Sequence, residues 1–243
     1  VSEPFNRHDK VYKNTIAEAV IFAKTKYIAA QSRISDRFFI KNKNFFFKKN
    51  ISTGNLIFAE SIKKSITNKK NTILYAVTIK KFFNQQFLGV ETFYEFLDNL
   101  KFLNYFSKIN KIKIYVNLHP AAKNSLNDLK ELFPNLSFIN KKIDEVLKKV
   151  DMTISFSSTV IEDSLCSKIP VILFDRWRRY QHCSAEKNLL KKNSPIYYVK
   201  KNEDLIKCVN TIYNSSKISY KKHIFVGNFK ANIKNLFNSL NRA

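Results

Sequence analysis

From residue 71 onward, short and predominantly apolar runs alternate with stretches of helical periodicity, and this alternation restricts the fold more than any other feature. Strands are predicted over 73–77, 112–116, 136–139, 152–155, 170–174 and 196–199, with helices over 91–107, 126–132, 143–149, 159–166 and 202–213. Strands that carry apolar residues on both faces and are separated by single helices belong to a parallel sheet covered on both sides. The predicted fold class is therefore α/β, a doubly wound parallel sheet over 71–243 that a helix over 225–240 closes.

Residues 1–70 follow the rhythm poorly. Val11, Ile16, Val20 and Ile21 recur at helical spacing within 9–26, and Tyr27-Ile28-Ala29-Ala30 reads as a short buried strand. A helix over 34–40 and a strand over 56–58 are also expected, and the Lys- and Asn-rich stretches between them read as surface loop. This is an incomplete N-terminal α/β portion, and because the chain opens with Val1 directly on helical periodicity, residues upstream are expected to be missing.

The formal net charge of +24 attracts phosphates, nucleic acid or anionic lipid. The lysines are scattered among Asn, Ile and Phe along the whole chain, which suits compositional bias with phosphate handling better than a dedicated nucleic-acid face. Cys166, Cys183 and Cys208 form an odd set without C-x-x-C spacing, so neither a disulfide framework nor a zinc site is indicated and a reducing cytoplasm is expected. No run approaches the roughly 18 apolar residues that span a bilayer, so any membrane attachment is expected to be peripheral, at the inner face.

In a doubly wound sheet the ligand lies beyond the carboxyl ends of the strands. That rule selects Thr78, His119-Pro120, the run Ser155 to Thr159, and the stretch from Asp175 to His182. The segment 151–165 (DMTISFSSTVIEDSL) passes from a strand through small hydroxyl residues straight into a helix. Free backbone N–H groups, the helix dipole and the hydroxyls of Ser157, Ser158 and Thr159 would meet there on an anion; the simpler alternative is that Ser158 or Thr159 caps the helix. Glu162, one turn further, is placed to accept hydrogen bonds from a ribose diol, or else is simply solvated. Pro120 ends a ladder and holds His119 extended, which directs the imidazole towards the crevice to meet a donor phosphate or leaving group. Arg176, Arg178 and Arg179 flank Trp177 and are candidates for phosphate or acidic-acceptor contacts, or for a solvated basic loop. The three glycines form neither a G-x-G-x-x-G nor a Walker pattern, which disfavours classical dinucleotide and P-loop enzymes.

Over about residues 71–190 the chain resembles the C-terminal, Rossmann-like nucleotide-binding domain of GT-B glycosyltransferases, together with the CDP-glycerol glycerophosphotransferases and capsule-synthesis proteins. The strand ending in Thr78 looks like the one that opens that domain, although Val77 stands where several relatives have proline. Val116-Asn117-Leu118-His119-Pro120 looks like the family's K-x-H-P strand end, with Asn117 replacing the lysine. Residues 155–162 with 168–175 are similar to its S-S-x-x-x-E-A-x-x-x-x-K-P-V-I segment. The resemblance implies that Ser155, Ser157, Ser158, Thr159 and Thr78 bind donor phosphate, that Glu162 lies near the ribose or sugar, and that His119 is catalytic. It makes residues 1–70 a remnant of the acceptor-side domain with a linker, and 71–243 the donor domain.

The implied activity is transfer of a sugar or polyol phosphate from a CDP-, CMP- or UDP-activated donor to a surface polysaccharide or lipid-linked acceptor, with no cofactor and no tightly bound metal. A nucleotide-sugar 2-epimerase of the same architecture is the alternative enzyme. A basic nucleic-acid-binding module is the alternative of another class. With the acceptor side mostly absent, the 243-residue chain is expected to bind nucleotide while turning over little substrate.

Overall fold

The computed structural model describes residues 71–77, 91–118, 126–179 and 181–224, and shorter pieces at 27–30, 33, 49–52, 233–234, 236–238 and 241. The chain divides into two compact units, one of residues 64–219 and one that joins 1–63 to 220–243. In the smaller unit β1 (Tyr27–Ala30) and β2 (Lys49–Ser52) pair in parallel, Tyr27 opposite Lys49 and Ala30 opposite Ser52. The first is the expected strand; the second falls in a stretch read as loop. The C-terminal segment was expected to close the donor domain but groups with the N-terminal residues, and the backbone N–H of Arg33 donates to the His223 carbonyl at 3.0 Å. The expected helix over 9–26, helix over 34–40 and strand over 56–58 lie outside the described residues.

Among the described residues the larger unit holds six parallel strands, β3 (Thr72–Ala76), β4 (Lys113–Asn117), β5 (Leu136–Ile139), β6 (Met152–Ser155), β7 (Val171–Phe174) and β8 (Ile196–Val199). Its helices are α1 (Phe93–Asn110), α2 (Leu126–Leu132), α3 (Ile143–Leu147), α4 (Val160–Cys166) and α5 (Asn202–Tyr213). The sheet order is β5-β4-β3-β6-β7-β8. The chain thus builds outward from β3 through β4 to β5, then returns to the centre and builds the other way. β3 and β6 are the neighbours at which the direction reverses, in register from Ile73 opposite Met152 to Ala76 opposite Ser155.

Alternation along the strands sets the main core. Ile73 and Tyr75, Ile114 and Val116, Met152 and Ile154, Ile172 and Phe174, and Tyr197 and Val199 share one hydrophobic cluster with helical residues. α1 contributes Phe96, Leu100, Leu103 and Phe106, and α5 contributes Leu205, Cys208, Val209 and Ile212 at i, i+3, i+4, i+7 spacing. Full burial of a leucine such as Leu100 or Leu103 contributes about 2 kcal/mol.

The helix ends are written locally. Thr92 and Glu95 form a reciprocal capping box at the start of α1: Glu95 N–H donates to Thr92 Oγ1 at 3.3 Å, and Thr92 N–H donates to Glu95 Oε2 at 2.7 Å. The far end stops at Lys111 in the left-handed region, φ 51°. At the amino edge of the sheet, Asp151 accepts from the Thr72 N–H at 3.0 Å, while Asp151 N–H donates to the Thr72 carbonyl at 2.9 Å. β8 lies at the sheet edge, and Glu186 pairs with it outside, donating to the Ile196 carbonyl at 2.9 Å and accepting from Tyr198 N–H at 2.8 Å.

Candidate functional site

By the rule for open α/β sheets, this strand order puts the expected ligand crevice beyond the carboxyl ends of β3 and β6. Thr78, His119 and Pro120 lie outside the described residues; β4 ends at Asn117, whose carbonyl accepts from Val77 N–H at 3.4 Å and carries the ladder to the lip of this edge. The hydroxyl run after β6 is described throughout, and its members divide into different jobs.

Ser155 is the last residue of β6, completely buried, and its Oγ donates to the Ala76 carbonyl at 3.1 Å. A hydroxyl spent on tying the two central strands together is not presented to a ligand, which corrects its assignment as a phosphate contact. Ser158 takes the capping role: its Oγ accepts from Val160 N–H at 3.2 Å and its carbonyl accepts from Ile161 N–H at 3.1 Å. Thr159 is exposed, has helical backbone angles, and makes no side-chain cap bond. Ser157 is half-buried, with Oγ 3.0 Å from Nδ1 of His182.

His182 arrives from the loop after β7 and is 3% exposed. Burial pushes its imidazole down from 6.5 to about 3, so the ring is neutral at physiological pH. The rule of strand ends reaches this loop as far as His182, but no local pattern predicts its pairing with Ser157, because the two are 25 residues apart. Glu162, on the first turn of α4, is 4% exposed, so it is an interior carboxylate and not a solvated one. After burial, which acts most strongly, its charge and that of Asp163 help push the Cys166 thiol up to about 12.

The arginines after β7 are largely committed within the protein. Arg179 grips the buried Glu95 carboxylate in a two-point pair, Nε to Oε1 at 2.6 Å and Nη2 to Oε2 at 2.5 Å, and stacks 5.1 Å from the Phe156 ring centre. Arg176 pairs with Asp98 at 2.7 Å and donates to Asn99 Oδ1 at 3.3 Å. Arg178 is exposed, in the left-handed region at φ 56°. Asp175 anchors the loop, accepting from Arg179 N–H at 3.1 Å and from the Tyr198 hydroxyl at 2.7 Å. The loop is thereby clasped to α1. Beneath the start of α1, the Tyr75 hydroxyl hydrogen-bonds buried Glu91, and Asn99 Nδ2 donates to the same carboxylate at 2.9 Å. Burial first, and then the Glu91 charge, raises the Tyr75 phenol well above its ordinary value.

An open pocket of about 410 Å³ lies at the ends of β7 and β8, lined by Arg176, Trp177, Lys200, Lys201, Asn202 and Glu203. None of the hydroxyls after β6 contributes to it, and it sits beyond the strand pair that defines the crevice. Among the described residues no helix is long and apolar enough to cross a membrane.

The six-strand parallel sheet with this order and its covering helices is a Rossmann-like unit, and solved structures similar to the chain in fold are GT-B proteins. They include UDP-GlcNAc 2-epimerase from Methanocaldococcus jannaschii, solved with UDP-GlcNAc and UDP, at a TM-score of 0.54 and 16% identity. That match covers 90% of this chain and 61% of the epimerase. The wall teichoic acid polymerase TagF matches at a TM-score of 0.52 and 18% identity, over 94% of this chain and 61% of the polymerase. The UDP-GlcNAc-bound epimerase from Neisseria meningitidis matches at 0.54 and 11% identity, over 100% of this chain and 68% of its own. Identities this low establish the fold alone. No protein-family model matches the sequence, and no curated protein does.

Proposed function

We propose that this chain carries the donor-nucleotide half of a GT-B enzyme that transfers a sugar or polyol phosphate from a CDP-, CMP- or UDP-activated donor to a surface polysaccharide acceptor. The observation that carries the reading is the reversal of strand order between β3 and β6, with Ser157, Ser158 and Thr159 directly beyond β6. Ser157 and Thr159 would donate to the donor phosphates, while Ser158 holds the turn. His119, two residues beyond β4, would stabilise the leaving nucleotide, and Thr78 would add a contact beyond β3. Arg178 is the arginine that remains for the acceptor or a phosphate, and Glu162 keeps its assignment to the ribose or sugar. Capsule or envelope synthesis at the inner face of the membrane fits such an acceptor.

An epimerase is the second reading, favoured by the similarity in fold to two UDP-GlcNAc 2-epimerases. Calorimetric titration with UDP, CDP and random-sequence RNA at physiological salt tests the site: tight nucleotide binding with weak RNA binding supports it, and the reverse ranking refutes it. Incubation with UDP-GlcNAc in the absence of acceptor then separates the enzymes, because an epimerase yields the 2-epimer and a transferase leaves the sugar configuration unchanged.

A further inference from the structure

Ser157 carries one hydroxyl proton and two lone pairs, and its Oγ hydrogen-bonds a buried neutral imidazole. The two neutral tautomers of His182 have opposite effects on that hydroxyl. With Nδ1 bare, the Ser157 proton is drawn onto the ring and Oγ presents only lone pairs to the crevice, where they repel an anionic oxygen. With the proton on Nδ1, the ring donates to Oγ at 3.0 Å and the Ser157 proton stays available to a ligand.

The backbone holding the ring supports such a fixed role. Asp175 and the Arg179–Glu95 pair anchor the loop on one side of the histidine, and Gln181 Nε2 donates to the Cys183 carbonyl at 2.9 Å across it. We infer that His182 is a positioning residue for nucleotide binding, its Nδ1–H donating to Ser157 Oγ so that the serine proton is directed at a phosphate oxygen of the ligand. The inference rests on the reading that Ser157 lines the donor-phosphate site.

The decisive measurement is the tautomer of His182 in the wild-type chain, read by long-range proton–nitrogen NMR on protein labelled with nitrogen-15, with the signal assigned by its loss in His182→Asn. A proton on Nδ1 is expected; a proton on Nε2 with Nδ1 bare overturns the proposal without touching the site itself. The second measurement is a double-mutant cycle on UDP and CDP affinity. Ser157→Ala and His182→Leu are each expected to weaken binding by on the order of 10- to 100-fold, the loss of a hydrogen bond to a charged group. The double variant is expected to bind no worse than Ser157→Ala alone, and His182→Asn, which retains an N–H donor, to recover most of the affinity. Additive losses would mean that His182 affects binding independently of Ser157 and would overturn the proposal. If Ser157→Ala leaves affinity unchanged, the donor-site reading falls and the proposal with it. Should His182→Leu fail to fold, the tautomer measurement decides alone.

Discussion

Because His182 is buried as a neutral ring, acid should unfold the larger unit in a way traceable to this one side chain. The folded imidazole takes up a proton only near pH 3, whereas in the unfolded chain it does so near 6.5. Its contribution to stability is therefore fully present above pH 6.5 and is lost as the pH falls, at about 1.4 kcal/mol per unit, until the folded ring titrates. Between pH 7.5 and 5.0 the loss from this group is about 2 kcal/mol, and any folded value below about 4 gives the same figure. Trp177 is the sole tryptophan and belongs to the same unit, so urea unfolding followed by its fluorescence reports on that unit. Wild type should lose about 2 kcal/mol more than His182→Asn over this interval, since the carboxylates and the other three histidines are common to both proteins and cancel. Equal losses would refute the reasoning, as would an NMR titration that finds the folded His182 ring protonating near pH 6.

Three further outcomes are expected. Arg179→Met leaves the buried Glu95 carboxylate without its two-point partner and should cost roughly 3 kcal/mol in urea unfolding, against little for a substitution at exposed Arg178. Ser158→Ala removes the cap that shapes the turn and should weaken UDP or CDP binding by about 0.5 to 2 kcal/mol in a calorimetric titration. In an active enzyme containing this chain, His119→Ala should lower kcat more than it raises KM for the donor, because leaving-group charge develops in the transition state.

The strands and helices of the larger unit were legible because each is a local pattern that the burial of both sheet faces demands; β5, β6, β8, α2 and α5 fall on the predicted residues. β2 was not legible, since Lys49-Asn50-Ile51-Ser52 has the composition of a loop and becomes a strand only by pairing with β1. The grouping of 220–243 with the N-terminal residues is a matter of tertiary contact and leaves no trace in local periodicity. At the site, the rule of strand ends located the hydroxyl run but could not apportion it. Ser155 points back to Ala76, and only knowledge that β3 and β6 are neighbours reveals this. The arginines after β7 were equally opaque, because Glu95 and Asp98 lie far back in the chain, Glu95 by 84 residues.

The two borders of the sheet differ in how they meet other molecules. Along β8, the outward-facing Ile196 carbonyl and Tyr198 N–H are both consumed by Glu186, so the chain supplies its own short stretch of neighbour and blunts that border as a template for strand addition. Lys187, exposed beside it, adds charge that repels a like copy, while Lys191 is paired with the Glu186 carboxylate at 2.6 Å. For a chain with a formal net charge of +24, whose self-repulsion would be lost on binding any polyanion, the covered stretch keeps neutralisation from laying bare a strand edge open to self-association.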